Sequence, residues 1–310
     1  MNLNNSHSNL NSDILSDCPH FDLSNDVAYN SWREQKLACY PVSSNKILVT
    51  INDFNLLSEI EIKQIYQTLN KFNMVIYSLG YPHQITTQEL RQFANLFGLN
   101  SIDSNLCAGE EDVSRVTVIN EGRNKAYIPY TNKPISWHTD GYYNLLDNRV
   151  RSFVLHCIQD ANIGGENNLV DPEIIYILLR DENPEFILAL MENDVLTVPA
   201  NIEDGIKIRE QQTGPVFSID SLTRKLHMRY TARTRSIEWK ESLLIQQAVS
   251  MIQSILQNKT EYIFKHKLKA GQGLLCNNVL HNRTAFEDSS DNSRKRELLR
   301  ARYYDRVQAK

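Results

Sequence analysis

The chain has 310 residues, 41% hydrophobic and 23% charged, enough to bury one large core and ordinary for a globular protein. Lys and Arg number 33 against 37 Asp and Glu, a formal charge of −4 with the basic residues scattered among acids, so nucleic acid is excluded as the expected partner. No apolar run reaches the roughly 20 residues of a membrane span and the first 13 residues are rich in Asn and Ser, which removes membrane insertion and secretion from the expected classes.

Residues 1–28 combine low complexity with few large apolar side chains and are expected to form a mobile or loosely docked tail, ahead of a single domain over 29–310. Ser58 and Glu61 have capping-box spacing, and Ile62, Ile65, Tyr66 and Leu69 follow on one helical face. The run from Met74 to Tyr77 reads as a buried strand. Thr86 and Glu89 repeat the box ahead of Leu90, Phe93, Ala94 and Phe97, and Gly98 stops that helix. Asp171-Pro172 and Asn183-Pro184 each put a capping residue before a proline suited to the first helical turn, and residues 239–256 predict a longer amphipathic helix.

Strand-like segments occupy 151–158, 195–199, 262–268, 274–280 and 298–304, separated by turns bearing Gly, Asn and Asp. Many short strands with inserted helices predict an α+β fold around a jelly-roll core. Gly271-Gln272-Gly273 lacks the further glycine and following helix of a dinucleotide loop and reads as a hairpin turn. The five cysteines (Cys18, Cys39, Cys107, Cys157, Cys276) are odd in number and contain no CxxC pair, so a reducing cytoplasm fits them better than a disulfide framework or a zinc-thiolate site.

Chemistry concentrates in three segments. In Ser136-Trp137-His138-Thr139-Asp140-Gly141 an imidazole and a carboxylate stand two residues apart, on one face if the chain is extended. A second histidine from a distant strand would complete a 2-His-1-carboxylate facial triad, the donor set of non-haem Fe(II) oxygenases, with three coordination positions open. His281 closes the apolar run 274–280 and is placed to do so. In the third segment Arg296, Leu298, Arg300 and Arg302 would share a face, which is costly inside a barrel unless the guanidinium groups meet anions. Taken singly, the segments also read as a surface His-Asp pair, a core histidine and a solvated edge strand. Among the other histidines, His7 and His20 lie in the expected tail, and His83, His156, His227 and His266 lack a partner at ligand spacing; structural roles are expected for them.

Together, WHTDG at 137–141, GGEN at 164–167, His281 within LHNRTAF and RELLRARY at 296–303 resemble the taurine dioxygenase-like (TauD/TfdA) family of Fe(II)/2-oxoglutarate oxygenases, over residues 47–305. The resemblance implies a double-stranded β-helix core with flanking and inserted helices and iron held by His138, Asp140 and His281. It also implies O2 and 2-oxoglutarate as co-substrates, and a homo-oligomer. Arg296 would anchor the distal carboxylate of 2-oxoglutarate, and Arg300 would lie near the co-substrate or an anionic group of the substrate. Asn167 stands where relatives usually carry threonine. Its amide can still donate to the co-substrate, but the exchange argues against taurine.

Halogenating relatives replace the carboxylate ligand with a small residue, whereas this chain keeps Asp140. The expected reaction is therefore oxidation, foremost hydroxylation, of a C–H bond in a small anionic metabolite, with release of succinate and CO2. Tyr142, Tyr143 and Asn144, together with Arg229, Arg233 and Arg235 in HMRYTARTR, are the candidate substrate-pocket residues, with packing and a solvated loop as their plainer readings. Two other functions fit parts of the pattern. One is a zinc-dependent hydrolase, since the donors also suit zinc; the other is a non-enzymatic jelly-roll sensor of iron or 2-oxoglutarate.

Overall fold

The computed structural model describes residues 16–40, 43–104, 112–119, 121, 127–289 and 295–308; Cys107 and His7 lie outside them. Ten strands build the two sheets that matter for the site: β1 (Leu48–Thr50), β2 (Met74–Ser78), β3 (Ser114–Val116), β4 (Ile135–His138), β5 (Ser152–Gln159), β6 (Asn167–Val170), β7 (Phe264–His266), β8 (Gln272–Cys276), β9 (Leu280–Arg283) and β10 (Glu297–Tyr303). The larger sheet runs β1-β2-β8-β5-β10-β3 and the smaller β7-β6-β9-β4. Only the β1–β2 pair is parallel; the other pairings in these sheets are antiparallel.

Period-two alternation divides the core into layers. Met74 and Ile76 of β2, Leu274 and Cys276 of β8 and Leu298 of β10 point between the sheets, where they meet Leu169 and Phe264 of the smaller one. Their sequence neighbours Val75, Tyr77, Leu275 and Leu299 point outward, under two helices, α2 (Glu59–Phe72) and α3 (Thr87–Leu96). Both helices begin with the expected reciprocal caps. Ser58 Oγ accepts from Glu61 N while the Glu61 carboxylate accepts from Ser58 N at 2.7 Å, and Thr86 and Glu89 repeat the exchange.

A third layer of helices supports the smaller sheet. Here α1 (Asp26–Leu37) packs with α4 (Pro172–Glu182), α5 (Pro184–Leu190) and α6 (Leu243–Asn258) around Tyr176, Phe217 and Tyr230. Among the described residues no helix is long and apolar enough to cross a membrane.

The structure departs from the sequence reading in four places. Of the tail expected over 1–28, residues 1–15 lie outside the described residues, while the part from residue 16 is docked: Cys18 and Phe21 are buried, and the Phe21 ring lies 5.3 Å from Trp32 and 5.4 Å from Tyr176. Two side chains suffice there because α4 supplies the other half of the contact. The helix expected over 239–256 starts only at Leu243, capped by Ser242, and Trp239 instead pairs with Leu196 in a short strand. The segment Gly271-Gln272-Gly273 is not a hairpin turn, because β7 and β8 belong to different sheets.

The fourth departure shapes the site. The strand expected over 274–280 breaks after Cys276, at buried Asn277 and Asn278, and Asn278 has φ 48°. A left-handed residue turns the chain from one sheet to the other, and Asn tolerates that region better than most residues. His281 consequently sits inside β9 instead of closing the preceding strand.

Candidate active site

His138 ends β4, and His281 is its direct cross-strand partner on β9, their rings 4.3 Å apart. Asp140 lies just beyond the strand, in the turn that follows, yet its carboxylate still reaches His138 Nε2 at 3.6 Å. The three residues offer ligand atoms within 4.8 Å of one another, so the structure brings together the three metal-ligand candidates.

Local hydrogen bonds aim these donors. His138 Nδ1 faces the Ser136 carbonyl at 2.9 Å and His281 Nδ1 faces the Val279 carbonyl at 2.8 Å. Only an N–H can make those contacts, which leaves both Nε2 lone pairs free for a metal. Burial, reinforced by the adjacent His138, lowers the His281 pKa to about 4, so its ring is neutral at neutral pH. Burial alone would raise the Asp140 pKa. The nearby Arg300, with His138, Arg302 and His281, overrides that and holds the carboxyl well below its usual range.

Asn278 is the residue that sequence reasoning missed. Its Oδ1 accepts from Asp140 N at 2.8 Å, and its Nδ2 donates to Asp140 O at 2.9 Å and Val150 O at 2.7 Å. The carboxylate ligand is thus held by its own backbone from both sides. The available signal was the Asn-Asn pair interrupting an apolar run, a poor fit to an unbroken buried strand.

A cleft between the two sheets is lined by the six site candidates: His138, Asp140, His281, Asn167, Arg296 and Arg300. Arg296 is 5% exposed, and among the described residues no carboxylate forms an ion pair with its guanidinium. Burial lowers its pKa to about 10. The Phe286 ring lies between two such groups, 4.9 Å from Arg296 Cζ and 4.8 Å from Arg283 Cζ. Arg283 spends its Nη atoms on the carbonyls of Pro129, Thr131 and Lys133, tying that turn over the cleft.

Asn167 is positioned by the glycines before it. Gly164 has φ 68°, and a Cβ there would come within 2.1 Å of the Ala285 carbonyl oxygen. Asn167 Nδ2 is buried without a hydrogen-bond partner. Asp140 Oδ2 and Arg300 Nε are in the same condition, and Arg300 Nη1 stands 3.9 Å from Asp140 Oδ1. Orphaned buried polar atoms are costly and rare, so a metal-facing carboxylate oxygen beside inward-facing donors matches a cation and a bound dicarboxylate. The residues present therefore fit Fe(II) and 2-oxoglutarate.

The candidate pocket residues separate into three groups. Arg229 is structural: it is buried and donates to the carbonyls of Tyr142, Leu196, Gly214 and Gln212. Arg235 is exposed, and Asn144 caps the local turn by donating to the Asn148 carbonyl. Tyr142 remains near the metal residues, its ring 6.4 Å from His138; Tyr143 stacks on it, and Arg233, itself exposed, places Nη1 3.0 Å from the Tyr142 hydroxyl.

Comparison with known proteins agrees with this geometry. A uridine-5'-phosphate dioxygenase from Amycolatopsis sp is 29% identical over 180 residues, covering 56% of this chain and 62% of that protein. A trimethyllysine dioxygenase from Meyerozyma guilliermondii is 28% identical over 166 residues, covering 51% and 40%. The chain thus spans less than two thirds of the curated relatives it matches. The structure of a taurine dioxygenase from Burkholderia xenovorans superposes with a TM-score of 0.54 at 16% identity, covering 81% of this chain and 84% of that one, and shares the jelly-roll fold. The model of the family "Taurine catabolism dioxygenase TauD, TfdA family" matches residues 41–302, most of the chain, and the protein belongs to that family.

Proposed function

We propose that this protein is a non-haem Fe(II)- and 2-oxoglutarate-dependent dioxygenase that hydroxylates a C–H bond of a small anionic metabolite. The observation that carries the proposal is one cleft in which a His-Asp-His donor set adjoins a buried arginine that no described carboxylate neutralises. A zinc hydrolase would leave Arg296 and the Asn167 amide without a task, and a sensor would not need three open coordination positions.

When bound, iron and 2-oxoglutarate would activate O2, which supplies the oxidising equivalents for C–H cleavage and for the conversion of 2-oxoglutarate to succinate and CO2. The protein's residues bind and orient. His138 and His281 present neutral Nε2 atoms, and Asp140 presents a carboxylate kept ionised by Arg300. Arg296 receives the distal carboxylate of the co-substrate, and Asn167 Nδ2 donates a further hydrogen bond to it. Val116, Ile135, Phe153, Leu155 and Leu298 wall the cleft with apolar surface that excludes water and strengthens those charged contacts.

An anionic substrate is supported by the arginines beside Tyr142 and Tyr143 and by the relative named for uridine-5'-phosphate. A cytoplasmic location belongs to the same proposal, supported by the free thiols of Cys18, Cys39, Cys157 and Cys276. The homo-oligomer rests on the family resemblance alone, and sedimentation at micromolar concentration tests it. For the activity, succinate release with Fe(II), 2-oxoglutarate and O2 is measured in the wild type and in His138→Ala. Release by the wild type and none above background by the variant supports the proposal; equal release by both removes the site.

A further inference from the structure

The segment directly after Asp140 is gripped by arginines. Gly141 has φ 68° and turns the chain so that Tyr142 and Tyr143 stack edge to face, their rings 5.1 Å apart. Arg229 holds the Tyr142 carbonyl at 2.7 Å, and Arg302 donates to the Tyr143 hydroxyl at 2.8 Å while pairing with Asp103. Those two arginines have full structural duties. Two others do not.

Arg233 makes one side-chain contact, to the Tyr142 hydroxyl at 3.0 Å. Arg209 approaches the other tyrosine, its Cζ 5.8 Å from the Tyr143 ring, with Nη1 and Nη2 on the carbonyls of Glu210 and Pro199. Arg209 is half-buried and Arg233 exposed; burial lowers the Arg209 pKa, against the opposing effect of Tyr142 and Tyr143, and the charge of Arg233 adds a smaller lowering. Among the described residues no carboxylate lies within ion-pair distance of either. Two cations without a carboxylate partner, one contacting Tyr142 and the other Tyr143 beside it, next to a metal ligand, offer a site for an anion. Two positive charges and a phenol hydroxyl match a dianion better than a monoanion.

The geometry points to Arg209, Arg233 and the Tyr142 hydroxyl as a subsite for a doubly charged tetrahedral oxyanion, a phosphate monoester or a phosphonate, carried by the primary substrate. The Tyr142 ring stands 6.4 Å from the His138 ring, so a substrate anchored there places carbon atoms a few bonds from the oxyanion beside the metal position. Arg296 and Arg300 line the cleft with His138, Asp140 and His281, whereas Tyr142, Arg209 and Arg233 are not among its lining residues. Oxyanion and 2-oxoglutarate would then occupy separate arginines. This assignment rests on the function proposed above.

The test is calorimetric titration of the anaerobic Fe(II)- and 2-oxoglutarate-loaded protein with methylphosphonate, inorganic phosphate and acetate. The wild type is expected to bind both dianions and to bind acetate at least tenfold more weakly. Arg209→Gln and Arg233→Gln should each weaken dianion binding at least fivefold, while Arg235→Gln, at an arginine as exposed as Arg233 but outside the subsite, leaves it unchanged. Arg209→Lys and Arg233→Lys keep the charge and recover part of the affinity, which keeps the test open if a Gln variant fails to fold. Acetate bound as tightly as phosphonate, no dianion binding by the wild type, or wild-type dianion affinity in the Gln variants overturns the inference. Loss of the 2-oxoglutarate charge-transfer band in the wild type would count against the proposed function instead, and the same titration on metal-free protein would still judge the oxyanion subsite.

Discussion

Replacing Arg296 with methionine should move stability and co-substrate affinity in opposite directions. In the protein alone a guanidinium that is 5% exposed lacks an ion-pair partner among the described residues, and burial takes its pKa from the usual 12.5 to about 10. At about 1.4 kcal/mol per pKa unit, that burial costs the folded state about 3 kcal/mol. Losing the Phe286 contact returns about 1 kcal/mol of that, so Arg296→Met is expected to be about 2 kcal/mol more stable without ligands. With 2-oxoglutarate the sign reverses, because removing one partner of a buried charge pair costs about 3–5 kcal/mol, roughly 100- to 3000-fold in affinity. Urea unfolding of the metal-free protein reads the first effect. Anaerobic titration of 2-oxoglutarate into Fe(II)-loaded protein, followed in the visible, reads the second. Affinity within threefold of wild type would refute the assignment of Arg296 to the distal carboxylate.

Asn278→Ala removes three buried hydrogen bonds and puts alanine at φ 48°, so a loss of about 3 kcal/mol in stability and a weaker Fe(II) site are expected. Asn278→Gly relieves the backbone alone and should fall between the two; denaturant midpoints and metal titration check both variants. A pH effect follows from His156, which is fully buried, meets the Tyr77 hydroxyl at 3.2 Å and has its pKa lowered by burial to about 4. Because the folded value lies below the unfolded value near 6.5, its contribution is fully present above pH 6.5 and is lost as pH falls toward 4, by about 2 kcal/mol at pH 5. Denaturant midpoints measured from pH 7 to 5 should therefore fall less steeply in His156→Gln than in the wild type, and identical slopes would contradict this.

What could be read from the sequence was whatever adjacent residues decide. The caps at Ser58 and Thr86 involve partners three residues away, and both formed as expected. His138 and Asp140 could be paired because two residues of extended chain keep side chains together, even though the strand itself stops at His138. The inward face of Leu298, Arg300 and Arg302 followed from alternation alone. Features decided by distant partners stayed hidden. Phe21 looks like a residue in a polar tail until α4 brings Tyr176 against it. Arg229 resembles a ligand-binding arginine until four backbone carbonyls from three segments close around it. The corner at Asn278 depends on a strand changing sheets, which local propensity does not encode.

The most direct test of the metal and co-substrate assignment is anaerobic addition of Fe(II) and then 2-oxoglutarate to the purified protein, watched in the visible before oxygen is admitted. The His138, Asp140 and His281 donor set beside Arg296 predicts a metal-to-ligand charge-transfer band that appears on 2-oxoglutarate addition and decays with oxygen as succinate accumulates. No band at saturating 2-oxoglutarate, with tight zinc binding at the same residues, would contradict it.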